Sequence, residues 1–333
     1  MNKKLVFIGC LLFSMICACK KESQHKTDVY AVGYRKIDDG EFYATSWKNN
    51  EETKLTSLLQ SARATCITVV NNDVYIGGYT LNTSDDNLVA KYWKNGFETS
   101  LTDGTHDAVV SSIAVSNGDV YCGGYEVHSN GKKVAKYWKN GIPYSLTVST
   151  DNAEVRSIQV HNGNVYSAGF KYNSAGNQEA TYWINNTTTI LEEDAEAYSI
   201  LINGNDIYVA GQALFNDVPT AVYWKNGIPT FLTDGTNGSW ATDLFIDGNT
   251  IYVTGNEMIE GYSIAKYWKN GIETTLSDEG ETHEANDIYV SDNNVFVSGY
   301  IEGSCKYWKN GTKTKVIDNN IQCGIEDILV IKK

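Results

Sequence analysis

Apolar and polar positions alternate along this chain in short runs, and turn-forming pairs separate the runs. The stretch after Asp151 shows the plan. Glu154 to Val160 alternates toward Ile158 and Val160 and predicts a first strand. Asn162-Gly163 predicts a two-residue turn, Asn164 to Phe170 a second strand and Lys171 to Gln178 a polar loop. Glu179 to Ile184 predicts a third strand, Asn185-Asn186 a turn and Thr187 to Leu191 a fourth strand. Asn-Gly between alternating runs is a strong hairpin signal, because both central turn residues need φ > 0.

The plan recurs at a fixed period. Variants of Tyr-Trp-Lys-Asn-Gly place Trp47, Trp93, Trp138, Trp183, Trp224, Trp268 and Trp308 at spacings of 40 to 46 residues. Only Trp240 falls outside that slot. A period of this length marks a unit that cannot bury its own apolar face and must stack on copies of itself. Seven units of roughly 44 residues match the length of a four-stranded propeller blade. The expectation is an all-β, seven-bladed β-propeller. Its second strands run through Val-Tyr or a similar pair to a Gly, which predicts close approach of another backbone.

The ends predict how the ring closes. The first unit starts at a second strand, Val29 to Gly33, and lacks a first one. Ile325 to Ile331 has the missing pattern, with Ile328 and Val330 at the slots of Ile158 and Val160. The C-terminal strand should pair with the N-terminal strand in one shared blade, removing two sheet edges.

The stretch Ala135-Lys136-Tyr137-Trp138-Lys139-Asn140-Gly141, with Leu146, Ile158, Val165 and Gly169 after it, resembles the HAF-type repeat of secreted bacterial proteins. Gly77-Gly78 and Gly123-Gly124, each ahead of a Tyr and a Trp, more loosely resemble kelch repeats. Both resemblances cover nearly all of residues 29–333. Both imply a β-propeller and neither implies an activity.

Residues 1–18 read as a signal segment. Lys3 and Lys4 precede an apolar run that is shorter than the roughly 20 residues needed to span a bilayer. Its end, Ile16-Cys17-Ala18-Cys19, resembles the lipobox of bacterial lipoproteins. That resemblance implies acylation of Cys19, including palmitate, and anchoring to a bacterial membrane, with the outer membrane favoured. The alternative is an ordinary cleaved signal and a soluble product. Residues 19–28 then form a tether and residues 29–333 the propeller.

After residue 18 there are 25 basic and 40 acidic residues, a net charge of −15. Such an acidic surface disfavours nonspecific nucleic-acid binding, and no nucleic-acid partner is expected. Cys66, Cys122, Cys305 and Cys323 remain beside Cys19. They read as buried free thiols, with Cys305–Cys323 the pairing expected if a bridge forms. No CxxC, HxxxH or HExxH spacing occurs, nor a phosphate loop or nucleophile elbow, so no cofactor or metal is expected.

A propeller sets tight turns on one face and longer connections on the other. Thr80 to Leu88, Glu126 to Lys133, Lys171 to Gln178 and Gln212 to Pro219 read as the longer ones, where binding usually lives. Lys48, Lys94, Lys139, Lys225, Lys269 and Lys309 sit just before tight turns. They read as a basic rim toward anionic headgroups or as shields of strand ends. Aligning first strands by their central Ile puts Arg63, Val109, Glu154, Glu196, Trp240, Glu284 and Gly324 at the channel mouth. Two residues on come Thr65, Ser111, Arg156, Tyr198, Thr242, Asn286 and Glu326.

The candidate ligand-binding residues are Arg63, Glu154, Arg156, Glu196, Tyr198, Trp240 and Glu284. An acidic, partly aromatic mouth suits a sugar, a cation or a basic peptide. Trp240 reads as a sugar platform or as packing between blades. The expected function is a non-catalytic binding or protein-interaction module of the cell envelope, tethered through Cys19. It would take a glycan or protein ligand on the long-loop face, as a monomer or as a subunit of a complex. Alternatives are a glycan-degrading enzyme using mouth carboxylates such as Glu154, Glu196 and Glu284, or a structural subunit of an envelope complex.

Overall fold

The computed structural model describes residues 27–36, 41–58, 60–278, 280–301, 304–316 and 322–333. These form seven four-stranded antiparallel sheets. Blade 4 follows the predicted plan, with strands Ala153–His161, Asn164–Tyr172, Gln178–Ile184 and Thr187–Glu193. The innermost strands of blades 2 to 7 are Ala62–Val70, Ala108–Ser116, Ala153–His161, Glu196–Asn203, Ser239–Asp247 and His283–Ser291. Each packs beside the next around a central channel, and Cys323–Lys332 completes the ring.

That last strand is the inner strand of blade 1. It pairs antiparallel with Thr27–Lys36, with Ile328 opposite Ala31 and Ile325 opposite Gly33. The expected closure is therefore present. Pairing begins at Thr27 rather than Val29, because Thr27 and Asp28 face Lys332 and Ile331. The readings made for residues 1–26, Cys19 among them, lie outside the described residues.

The repeated motif has a physical role at each position. All seven repeat tryptophans are 1 % exposed or less, which marks them as core rather than surface. Each fills the gap between its own blade and the preceding one. Trp138 of blade 3 packs with Cys66 and Tyr75 of blade 2, and Trp224 of blade 5 with Ala168 and Ala180 of blade 4. Trp308 Nε1 also donates to the Leu276 carbonyl of blade 6 at 3.0 Å. The asparagine that follows clasps the blade internally. Asn140, at φ 49°, opens its turn, accepts the Val120 N–H at 2.9 Å and donates to Asp119 at 2.7 Å. A similar clasp joins Asn95 to Val74 and Asp73, and Asn226 to Ile207 and Asp206.

Four of the six motif lysines are neutralised within their own blades. Lys48, Lys94, Lys139 and Lys225 lie 2.8 to 3.3 Å from Asp28, Asp73, Asp119 and Asp206. Lys94 and Lys139 also lie over the Tyr75 and Tyr121 rings at 5.1 and 5.3 Å. Lys269 and Lys309 lie over the Tyr252 and Phe296 rings at 5.3 and 5.4 Å, so the expected basic rim is mostly a set of paired charges around the tight-turn face.

One of the expected long connections, Gln212 to Pro219, is not a loop, and blade 6 has the same arrangement. In blades 5 and 6 the second strands continue as Asp206–Phe215 and Thr250–Ile259. They reverse at Asn216-Asp217 and Glu260-Gly261, where all four residues have positive φ. Gln212 to Pro219 is accordingly a hairpin, because Asn and Asp tolerate the left-handed region. Among the cysteines, Cys305 and Cys323 form a disulfide that ties blade 7 to the closing strand. Cys66 and Cys122 are free and buried, as the thiol reading expects.

Candidate functional site

Seven bulges build the channel wall. Each inner strand carries one extra residue that has no partner on the second strand: Thr65, Ser111, Arg156, Tyr198, Thr242 and Asn286 in blades 2 to 7. Glu326 is the extra residue of blade 1. These are the residues aligned two positions beyond the mouth. A bulge re-aims a side chain and bends its strand. Here it is made possible by the repeated glycine. A Cβ at Gly33, Gly78, Gly124, Gly169, Gly211, Gly255 or Gly299 would lie within 2.1 Å of the carbonyl oxygen of the mouth residue opposite. The close approach predicted for this glycine is therefore to the inner strand of its own sheet.

The mouth carries two clusters. In the first, Arg156 joins blades 4 and 5. Its Nε lies 2.6 Å from Glu154, and its terminal nitrogen lies 3.2 Å from Glu196. The guanidinium also lies 5.4 Å from both the Phe170 and Tyr198 rings. Lys133 Nζ donates to Glu154 at 2.7 Å, while Gln212 and Tyr198 donate to Glu196. Burial, followed by the neighbouring Glu196 charge, pushes the Tyr198 phenol far above its usual range. Glu196 thus accepts hydrogen bonds from Arg156, Tyr198 and Gln212, while Glu154 accepts one from Lys133 and forms an ion pair with Arg156. Both carboxylates are thereby tied into the wall of the mouth by neighbouring side chains.

The second cluster straddles the seam. The Arg63 guanidinium stacks 4.2 Å from the Tyr34 ring and 4.9 Å from the Phe42 ring. Gly324 leaves room for that stack, since a Cβ there would meet the Tyr34 ring at 2.7 Å. Glu326, Tyr300 and Glu284 act electrostatically on Tyr34, whose phenol is raised chiefly by burial. Burial also raises the Glu326 carboxyl, with Arg63 opposing the shift and Glu284 adding to it. Glu284 itself is exposed.

Below the mouth runs a belt of small polar side chains. The residue after each bulge is Cys66, Ser112, Ser157, Ser199, Asp243, Asp287 or Asp327. Several accept a backbone N–H from the next blade: Ser112 from Ile158 at 3.1 Å, Ser157 from Ile200 at 3.2 Å, Asp243 from Ile288 at 3.2 Å and Asp287 from Ile328 at 3.2 Å. Ser199 donates to Asp243 at 2.6 Å. The three aspartates are consecutive around the ring. Burial raises all three carboxyls, Asp327 to about 7, and mutual repulsion adds to the rise at Asp287 and Asp327. Among the described residues, no group of three or more His, Cys, Asp or Glu side chains is arranged to hold a metal ion.

The sequence-predicted residues therefore divide. Glu154, Arg156, Glu196 and Tyr198 come together in one cluster, and Arg63 and Glu284 belong to the other. Trp240 is half-buried on the inner strand of blade 6, opposite Asn256. Asn256 ties blade 6 to the Ala285 backbone of blade 7 through both its amide atoms. Tyr34, Phe42 and Lys133 were not singled out by sequence. They reach the mouth from second and third strands, and a first-strand alignment carries no signal for them. A separate cavity of about 420 Å³ lies at the tight-turn end, lined by Asp247, Tyr289, Asp292 and Lys332 among others. It holds none of the predicted site residues.

No protein-family model matches this chain, and no curated protein matches it. Solved structures do. A puromycin hydrolase is similar at 10 % identity and TM-score 0.60, covering 87 % of this chain and 52 % of that one. A puromycin-hydrolyzing peptidase of Mycobacterium tuberculosis is similar at 12 % identity and TM-score 0.58, covering 86 % and 50 %. This chain thus spans about half the length of those two proteins. The β-propeller domain of the Trilobed protease from Pyrococcus furiosus is similar at 12 % identity and TM-score 0.52, covering 88 % of this chain and 93 % of that domain. That domain has an open velcro topology, whereas here Cys323–Lys332 and Thr27–Lys36 zip the seam shut. At these identities the likeness is one of fold, and the fold is a closed seven-bladed β-propeller.

Proposed function

We propose that this chain is a lipid-anchored propeller of the bacterial cell envelope that binds its ligand without catalysis at the channel mouth opposite the tight turns. The observation that carries the reading is the state of the mouth carboxylates. Glu154 and Glu196 are taken up by Arg156, Lys133, Gln212 and Tyr198. They shape a rigid wall instead of offering an acid and a base. Arg63, Tyr34 and exposed Glu284 add aromatic and charged recognition groups on the other side. This combination suits a hydroxyl-rich or cationic ligand, such as a glycan or a basic peptide.

A glycan and peptide array probed with residues 27–333 tests it. Peptides join the panel because peptidases share the fold. Tyr34→Ala, Glu284→Gln and Trp240→Ala should each weaken a hit roughly tenfold or more. Hits that ignore all three changes would remove the mouth from consideration.

A second reading has its own observation. The Glu326 carboxyl, raised by burial, also feels the charge of exposed Glu284, and a buried carboxyl facing an exposed one is a pattern of glycan hydrolysis. Under that reading Glu284→Gln and Glu326→Gln abolish turnover of a glycan panel. Under the binding reading the unmodified protein turns over nothing.

A further inference from the structure

We propose that the tight-turn face docks flat on a lipid bilayer through four apolar side chains, Phe97, Ile142, Ile228 and Ile272. Each follows the Asn-Gly pair of a third-to-outer turn, in blades 2, 3, 5 and 6. They are 81, 60, 70 and 75 % exposed, so packing within the fold does not account for them. The position itself does not require an apolar residue, since Glu51, Thr187 and Thr312 occupy it in the other blades. Exposed apolar groups that recur on one rim mark an interaction surface.

The geometry of the ring selects the partner. Equivalent turns of equivalent blades lie on one circle, so the four side chains share a plane. They fall in two neighbouring pairs, separated on either side by blades that carry Glu or Thr. A bilayer surface meets all four at once, in the manner of an interfacial anchor.

The chain ends point the same way. Thr27 pairs with Lys332, and Val29 and Asn49 bond each other beside the first tight turn. The tether that carries Cys19 therefore joins the fold at this face. This step rests on the lipid-anchor reading. The charges on the rim set the kind of lipid. Lys48, Lys94, Lys139 and Lys225 are paired with aspartates, and Lys332 and Lys333 with Asp292 and Asp28. Lys269 and Lys309 lie over the Tyr252 and Phe296 rings at 5.3 and 5.4 Å. With most rim lysines paired, attraction is chiefly apolar, and zwitterionic lipid suffices.

The test uses residues 27–333, which contain every strand of the closed ring. An N-terminal histidine tag holds the protein on phosphatidylcholine vesicles doped with nickel-chelating lipid, replacing the natural anchor. A fluorescent reporter is placed on a cysteine introduced at position 97, 142, 228 or 272, or at Gly176 on the opposite face. The native described thiols are buried or bridged and stay unlabelled. Brominated lipid should quench the four rim reporters and spare position 176. With the reporter at Thr187, changing all four apolar residues to Ser should reduce quenching roughly fivefold or more. Quenching at none or only one of the rim positions overturns the proposal, as does equal quenching at 176. Mass spectrometry of the native protein without an acyl group would remove the anchor reading and leave the tethered result standing.

Discussion

The carboxylate of Asp327 accepts the backbone N–H of Ile67 at 2.8 Å, across 260 residues of sequence. This bond joins the closing strand to the inner strand of blade 2. It belongs to the polar belt in which Asp243, Asp287 and Asp327 stand side by side.

Stability should therefore fall as pH rises through the window of these carboxyls. Their folded pKa values lie above the unfolded value of 3.8, with Asp327 at about 7. The folded state then holds more protons than the unfolded one between about pH 4 and 7, and loses that advantage on ionisation. Thermal melts at pH 5 and pH 8 should differ by roughly 5 °C from this source. Asp287→Asn keeps an acceptor for the Ile328 N–H and removes the central charge. The variant should flatten the pH profile; a slope equal to the wild type would show that the trio does not titrate in this range.

Gly169→Ala should destabilise more than Gly163→Ala, although only Gly163 has a positive φ. The Cβ at position 169 would sit 1.9 Å from the Glu154 carbonyl oxygen, while position 163 opens to solvent. Expected losses are about 3 kcal/mol at 169 and about 1 kcal/mol at 163, read from denaturant melts. The reverse order would mean that the bulge gives way easily.

Trp138→Ala should remove about 3 to 5 kcal/mol, since the side chain is 1 % exposed between two blades. Trp240→Ala should remove about 1 kcal/mol or less from a half-buried site. Urea titration compares them directly, and similar losses would assign Trp240 to packing instead of recognition.

Breaking the Cys305–Cys323 bridge, 18 residues apart in sequence, should remove about 3 kcal/mol and lower Tm by roughly 6 °C. The double Cys→Ser variant measures this. Peptide mapping without reductant should find the linked pair. Cys66 and Cys122 should resist alkylation until the protein unfolds, because burial raises both thiols.

Much of this protein is legible in its sequence because the information is local and repeated. Asn140-Gly141 and its counterparts specify turns by backbone preference alone. Alternation specifies strands, and the tryptophan period specifies seven blades and, with Ile325 to Ile331, their closure. The alignment that set Thr65, Arg156 and Glu326 in one ring also needed only the period. What lay beyond it depended on packing across blades. Arg156 meets Glu196 only because two neighbouring strands stand at one height around the channel. Lys139 is neutralised by Asp119 through strand register, and Asp243, Asp287 and Asp327 meet only once the ring is complete. Local pattern carries period and turn chemistry, whereas the angle and height of each strand about a shared axis arise when all seven sheets pack together.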